Sequence, residues 1–357
     1  MKIIQVIPNF GMGGAEIMCE NLCYELLRKG HDVIAVSLYD TRSAITDRLE
    51  KNGVDLRFLG KRSGLDLSVV KKLRRLFRSE KPDAIHTHLY ALKYAVLATA
   101  FTKCKRRIHT VHNVAEKECT GTDRRLSRIF FRRGLVIPVA LSPEIQETVT
   151  ALYGLTSDRV PVVYNGIDLS KCRPKAGYDC GETFRILHIG RFSQQKNHIG
   201  LVKAFALFHK ENPSSELLLI GDGELRPEVE AYLKEHGLTD SVRLLGLQSD
   251  VYGYLQDADL FTLPSHFEGV PMTLIEAMGT ALPIVATAVG GVPDMLDGDS
   301  AWLVPCEENA IAEAFSAAYH SPEKRAAFGK AALQRADTFS VQKMTAAYLR
   351  LYESGEV

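Results

Sequence analysis

Phe184-Arg185-Ile186-Leu187-His188-Ile189-Gly190-Arg191-Phe192-Ser193-Gln194-Gln195-Lys196-Asn197 is the stretch that decides the fold. Its first six residues read as a strand, Gly190 ends the run, and a polar loop leads into a helical period over 198–209. The chain opens on the same unit. Lys2–Ile7 reads as a strand, Pro8–Gly14 as a glycine-bearing loop, and Ala15–Lys29 as an amphipathic helix closed by Gly30. Between these two starts, strand patterns recur at Asp32–Leu38, Val54–Phe58, Ala84–His86, Arg107–Val111 and Val136–Leu141. Helical patterns lie between them, at about 68–79, 90–101, 124–133 and 144–152. The rhythm breaks at Tyr164-Asn165-Gly166-Ile167-Asp168, and residues 166–183 show no clear period. After Phe184 it resumes, with strands at Glu216–Ile220, Val242–Leu244, Leu260–Leu263, Ile284–Ala286 and Ala301–Val304. A helical pattern falls at 224–236, and three more end the chain, at about 307–319, 322–336 and 340–353.

Strands separated by helices imply right-handed crossovers and parallel sheets. A pattern that stops and restarts predicts an α/β protein with two doubly wound, Rossmann-like domains, spanning 1–165 and 166–339. No pattern suggests a closed eightfold barrel. Ligands of open α/β sheets bind beyond the carboxyl ends of the strands, so two such domains facing each other would create an interdomain cleft.

The chain has 357 residues, 44 Lys and Arg against 43 Asp and Glu, and a formal net charge of +1. With 46% hydrophobic and 24% charged residues it is neither disordered nor of low complexity. The near-zero charge argues against a nucleic-acid binder, but it is a cancellation. Residues 1–165 carry 27 basic and 17 acidic side chains, a net of +10, and residues 166–357 carry 17 and 26, a net of −9. Seven scattered cysteines form no C-x-x-C pair, which suits a reducing cytoplasm. The first residues do not read as a signal peptide, and no run of about 18 apolar residues could span a bilayer. The expectation is a cytoplasmic protein, at most peripheral on the inner face of the membrane.

Three loops carry candidate chemistry. Gly11-Met12-Gly13-Gly14-Ala15-Glu16 joins a strand to a helix start, where bare backbone and unpaired amides could receive an anion; it equally suits a tight turn. It matches neither G-x-G-x-x-G nor the G-x-x-x-x-G-K-[ST] loop. The second loop presents Arg191 and Lys196, a bidentate and a point cation suited to a diphosphate, although a plain solvated basic turn would look alike. The third is Pro264-Ser265-His266-Phe267-Glu268-Gly269-Val270-Pro271-Met272-Thr273-Leu274-Ile275-Glu276-Ala277-Met278-Gly279. Pro271 suits the first position of a helix, and the amides of Val270, Pro271's neighbour Met272, and Thr273 would face an anion. Glu268 and Glu276 cannot both serve phosphate, since like charges repel, but carboxylates accept hydrogen bonds from vicinal hydroxyls. A nucleotide-sugar has both parts: a diphosphate, and diols on either side of it.

The Glu268–Glu276 segment resembles the E-x7-E signature of retaining glycosyltransferases of the GT-B fold, most closely glycosyltransferase family 4. The resemblance runs through the Gly-Gly-Ala-Glu loop, His86-Thr87-His88, Thr110-Val111-His112-Asn113, Asn165-Gly166-Ile167-Asp168, Gly190-Arg191 with Lys196, Gly221-Asp222-Gly223 and Gly290-Gly291-Val292-Pro293. It implies that Arg191 and Lys196 hold the donor diphosphate beside Gly190, that Glu268 meets donor-sugar hydroxyls, and that Glu276 meets the ribose. Gly13 and Gly14 would approach the diphosphate, and His112 would stand near the reacting sugar. It further implies retention of anomeric configuration, work without metal or cofactor, and a segment 340–357 that packs back on the first domain. The donor would be a UDP-sugar, and the acceptor a saccharide or lipid-linked saccharide of surface polysaccharide or glycolipid assembly.

Other readings compete. Asp257-Ala258-Asp259 looks like a D-x-D metal motif but leads straight into a strand, so it reads as a connection. Asp297-Gly298-Asp299 reads as a turn, and His86 with His88 as cleft or packing residues. Nucleotide-sugar 2-epimerases share the architecture; the Arg/Lys and Glu pairs argue against one. The missing G-x-G-x-x-G disfavours an NAD-dependent oxidoreductase, and the presence of both glutamates disfavours a non-catalytic nucleotide binder. Finally, Lys61, Arg62, Lys71, Lys72, Arg74, Arg75, Arg78 and Lys81 interleave with apolar residues, as do Arg124, Arg125, Arg128, Arg132 and Arg133, with Lys103, Lys105, Arg106 and Arg107 adding more. Either these are solvated helix faces, or the first domain docks on an anionic membrane; no RNA-recognition motif accompanies them.

Overall fold

The computed structural model describes residues 1–354 except 12, 100, 101, 103, 105, 119 and 120. Met12 of the glycine loop, Lys103 and Lys105 of the basic stretches, and Cys119 therefore lie outside the described residues. The chain divides into two compact units, Met1–Ile167 with Ser340–Val357, and Asp168–Phe339.

The first unit holds strands β1 (Lys2–Ile7), β2 (Asp32–Ser37), β3 (Asp55–Phe58), β4 (Ala84–His88), β5 (Arg106–Val111) and β6 (Ile137–Ala140). Its helices are α1 (Gly14–Arg28), α2 (Ala44–Lys51), α3 (Leu67–Glu80), α4 (Leu92–Ala98), α5 (Ala115–Glu118), α6 (Gly121–Arg132) and α7 (Pro143–Tyr153). The second holds β7 (Phe184–Ile189), β8 (Ser215–Ile220), β9 (Val242–Gly246), β10 (Leu260–Leu263), β11 (Ile284–Thr287) and β12 (Trp302–Val304). With them go α8 (His198–Glu211), α9 (Arg226–Glu235), α10 (Tyr252–Asp257), α11 (Met272–Gly279), α12 (Val292–Met295), α13 (Glu308–His320) and α14 (Pro322–Ala336). The last helix, α15 (Val341–Glu353), returns to the first unit and packs on α1 and β5.

The two sheets share one topology. Their orders are β3-β2-β1-β4-β5-β6 and β12-β11-β10-β7-β8-β9, every pairing parallel. Both units are Rossmann-like. Strand order reverses between β1 and β4 in one and between β7 and β10 in the other. At such a switch point the crossover helices leave to opposite faces and open a crevice at the strand ends. The loops after β7 and β10 are the ones that carry Arg191, Lys196 and Glu268.

Apolar side chains fix each sheet to its helices. Val69, Leu73 and Phe77 seat α3 on Ile4, Val36 and Ile85 of the first sheet. Phe205 and Phe208 of α8, with Phe315 of α13, cover Phe184, Ile186 and Leu217 of the second. The structure takes Lys61 out of the basic surface: it is buried, with Nζ donating to Tyr39 Oη at 3.0 Å and to the Gly64 carbonyl at 2.7 Å. No helix among the described residues is long and apolar enough to cross a membrane.

Candidate functional site

In the second unit, the loops after β7 and β10 are laced together. The Asn197 amide donates to the Pro264 carbonyl at 3.1 Å, Gln195 Nε2 donates to the Phe267 carbonyl at 3.0 Å, and the His266 amide donates to the Gln195 carbonyl at 2.8 Å. Across that seam Lys196 Nζ reaches Glu268 Oε1 at 2.7 Å, with side chains 16% and 4% exposed. Gln195 Nε2 stands 3.4 Å from Glu268 Oε2. Arg191 is not brought to this pair; its side chain is 74% exposed and meets Glu224 at 3.0 Å.

Glycines let the surrounding loops close this tightly. A Cβ on Gly290, at φ +57°, would fall 1.8 Å from the Glu268 carbonyl oxygen, and one on Gly221, at φ +138°, would fall 2.0 Å from that of Gly190. Gly190 itself sits over His188 Nε2, 2.8 Å from where its Cβ would be. Only glycine fits the first two positions without moving the loops that carry Glu268 and Arg191.

α11 begins one residue later than its sequence suggests. Pro271 is the N-cap at φ −70° and ψ 122°, with Met272 the first helical residue, because the Pro271 carbonyl already accepts from Leu274. No side chain caps this start, which leaves the Met272 and Thr273 amides toward the helix N-terminus. Val270, Pro271 and Met272 are buried. Glu276 is buried within the helix, and burial, with Asp250 adding and Lys171 opposing, pushes its carboxyl up to about 7. No described residue donates a side-chain hydrogen bond to it. Its carboxyl oxygens are not among the fully buried atoms lacking a partner, so an arriving hydroxyl could reach them.

The competing acidic motifs have other work. Asp259 Oδ2 accepts from the Arg185 amide at 2.8 Å, between α10 and β10, and Asp297 Oδ1 accepts from Ser300 at 2.8 Å within a turn.

In the first unit Gly13 is the N-cap of α1 and Gly14 its first residue. A Cβ on Gly13 would stand 2.5 Å from Glu16 Oε2, so the bare backbone lets this carboxylate fold over the turn. Burial raises the Glu16 pKa, and an anion arriving at Gly13 and Gly14 would meet that group. His112 follows β5, half-buried. Its backbone amide donates to Glu118 Oε2 at 3.2 Å, and its Nε2 lies 3.0 Å from His88 Nδ1. Burial, with His109 beside it, brings His112 down to about 3 and leaves it neutral. Burial also pushes Glu118 up to about 7. Sequence reasoning passed over Glu118, which sits in an ordinary charged run, and Gln5, whose signal was a lone amide in an apolar strand.

Residues 12–171 match the family described as Glycosyltransferase Family 4, and residues 180–335 match Glycosyl transferases group 1. This chain is a family 4-type glycosyltransferase. Its structure superposes on that of HepE from Anabaena, in complex with UDP and glucose, at a TM-score of 0.87 with 19% identity, covering 99% of this chain and all of that one. Sucrose-phosphate synthase from Thermosynechococcus elongatus gives 0.80 at 20% identity, over 99% and 98% of the two chains. The fold is therefore GT-B. In sequence the glycosyltransferase is 25% identical over 300 residues to the putative glycosyltransferase EpsF of Bacillus subtilis, covering 80% of this chain and 78% of that one. It is 26% identical to the lipopolysaccharide core biosynthesis glycosyltransferase LpsD of Rhizobium meliloti over 99% of both. It is also 28% identical, over 63% of each chain, to the UDP-Gal:alpha-D-GlcNAc-diphosphoundecaprenol alpha-1,3-galactosyltransferase of Escherichia coli.

Proposed function

We propose that this glycosyltransferase moves a sugar from a UDP-sugar to a saccharide or lipid-linked acceptor, retaining anomeric configuration and using no metal. The observation that carries this is the Lys196–Glu268 pair in the loop that leads to the uncapped start of α11, with the buried Glu276 inside that helix. An ammonium has three donors, and Glu268 occupies one, so Lys196 can hold a carboxylate and a phosphate at once. The pair is close to neutral, so the diphosphate needs a second cation. Arg191 can swing from Glu224, because an exposed ion pair is worth only about 0–1 kcal/mol. Glu268 then accepts from donor-sugar hydroxyls, Glu276 accepts from the ribose, and the amides of Val270, Met272 and Thr273, with the bare backbone at Gly190, face the phosphates. Positive charge placed where the diphosphate departs is the main lever on the rate. His112 stands by the reacting sugar.

A relative named for a diphosphoundecaprenol-linked acceptor, and another for lipopolysaccharide core, support an acceptor from surface polysaccharide or glycolipid assembly. The basic first unit exposes Leu65 and Leu67, at 73% and 60%, beside Arg62, Lys71, Arg75 and Arg78. That combination suits peripheral docking on an anionic inner membrane face.

Incubation with a panel of UDP-, GDP- and ADP-sugars plus undecaprenyl-diphosphate saccharides, with and without EDTA, tests the reaction. Release of UDP with an α-linked glycoside from an α-linked donor, unaffected by EDTA, is expected. A β-linked product, or strict dependence on a divalent ion, rejects the retaining, metal-free reading.

A further inference from the structure

Beneath His112, β1, β4, β5 and α15 bury one continuous chain of hydrogen bonds. His112 Nε2 lies 3.0 Å from His88 Nδ1, and His88 Nε2 lies 2.9 Å from Gln5 Oε1. Gln5 Nε2 donates to Tyr352 Oη at 3.2 Å, and that hydroxyl lies 2.8 Å from His86 Nδ1. His86 Nε2 lies 2.7 Å from Thr110 Oγ1, which in turn lies 2.7 Å from Tyr348 Oη. Gln5, His86, His88 and Thr110 have no solvent exposure, so bulk water does not compete for these bonds.

The placement of the hydrogens follows from the orientation of the Gln5 amide, whose oxygen faces His88 and whose nitrogen faces Tyr352. Its Oε1 only accepts, so His88 carries its hydrogen on Nε2. Burial keeps His88 well below its ordinary pKa, so the ring is neutral and Nδ1 is a bare lone pair. His112 must then donate to it from Nε2. His112 is neutral as well, which leaves its own Nδ1 without a hydrogen. No described group engages that nitrogen, and it is not among the buried atoms lacking a partner. On the far side, Tyr352 accepts from Gln5 and so donates to His86, and α15 anchors the chain.

We propose that Gln5 and His88 are positioning residues that hold His112 as the Nε2–H tautomer, so that its bare Nδ1 accepts a hydrogen bond from a substrate hydroxyl. The proposal rests on the reading of His112 as the residue by the reacting sugar. It makes His112 an acceptor toward substrate, and excludes it as a neutral donor to a developing oxyanion.

Long-range proton–nitrogen NMR on the full chain labelled with 15N-histidine tests this directly, with His112 assigned by the signals lost in His112→Gln. A pyrrole-type shift at Nε2 and a pyridine-type shift at Nδ1 are expected; the reverse pattern overturns the proposal. In His88→Phe the His112 signals should move toward a mixture of tautomers. With the most active UDP-sugar, that variant should lose roughly 10- to 100-fold in kcat with an unchanged donor KM. His88→Asn, whose side-chain oxygen can still accept from His112, should recover most of the loss. If His112→Ala keeps full activity, the placement of His112 at the sugar fails while the tautomer result stands. If His112→Ala is inactive and both His88 variants match the wild type, the positioning role fails. Should His88→Phe not fold, the wild-type tautomer still decides.

Discussion

Lys196 Nζ and Glu268 Oε1 are 2.7 Å apart in a nearly dry seam, the glutamate side chain only 4% exposed. Removing one partner from such a pair leaves a buried charge, which costs about 3–5 kcal/mol, while neutralising the acid leaves a hydrogen-bonding amide. Lys196→Ala should therefore lower the melting temperature far more than Glu268→Gln. Both should abolish transfer, since Lys196 also serves phosphate and Glu268 the sugar. Thermal melts of the two variants and the wild type without ligand check this; equal losses in the two variants would refute the asymmetry, and no loss in either would show that the pair carries no stability.

Glu276 gives a pH signature. Its folded-state pKa, about 7, lies above the ordinary 4.5, so the folded chain keeps a proton that the unfolded chain has already released. The stability it contributes is complete below pH 4.5 and is lost as the pH rises through 7. Glu118, raised to about 7 in the same way, overlaps this window, so the wild-type profile alone cannot isolate either group. Glu276→Gln should raise stability at pH 8 by on the order of 2–3 kcal/mol and add nothing at pH 4. The same variant should lose stabilisation by UDP, because an amide accepts fewer bonds from the ribose diol. A variant no more stable than wild type at pH 8 would refute the burial penalty, and an unchanged UDP shift would refute the ribose contact.

Strands were the legible part of this fold. Phe184–Ile189 is predicted as a strand and forms over those same residues, because a parallel strand buried on both faces reads as an apolar run. The short helices Ala44–Lys51 and Tyr252–Asp257 are absent from the sequence reading, since about two turns offer too few repeats to establish a period. β4 runs past its predicted end at His86 to His88, because both imidazoles find buried partners that hydropathy does not register. The candidate site was legible as residue types, and illegible as contacts. Lys196 and Glu268 are 72 positions apart and meet only because β7 lies beside β10. Arg191, next to Gly190 in sequence, turns instead to Glu224.

Gly290 is the most exacting position in the loops around Glu268. Its φ of +57° disfavours any side chain, and an added Cβ would overlap the Glu268 carbonyl oxygen at 1.8 Å. Backbone cannot yield as a flexible side chain does. Gly290→Ala should cost about 2 kcal/mol or more and displace Glu268, while Gly298→Ala, with open space around its Cβ, should do neither. Activity and melting temperature of the two variants, measured side by side, check this. A fully active Gly290→Ala would mean that Glu268 tolerates displacement and does not contact the sugar.

The membrane reading separates into a charge part and an apolar part. Arg62, Lys71, Arg75 and Arg78 are exposed, and each is worth about 1 kcal/mol near an anionic surface. Leu65 and Leu67 lie between Arg62 and Lys71 and face solvent at 73% and 60%. Burying one leucine contributes about 1.5–3 kcal/mol, so the two contributions are comparable in size. Flotation with phosphatidylglycerol vesicles should capture the wild type at low salt, and phosphatidylcholine vesicles should not. Lys71→Glu with Arg75→Glu should abolish capture. Leu65→Ser with Leu67→Ser should weaken it while leaving the residue sensitive to salt, because screening acts on charges and not on apolar contact. Equal failure to bind both kinds of vesicle would remove the membrane from the proposed function and leave a glycosyltransferase that meets its acceptor in solution.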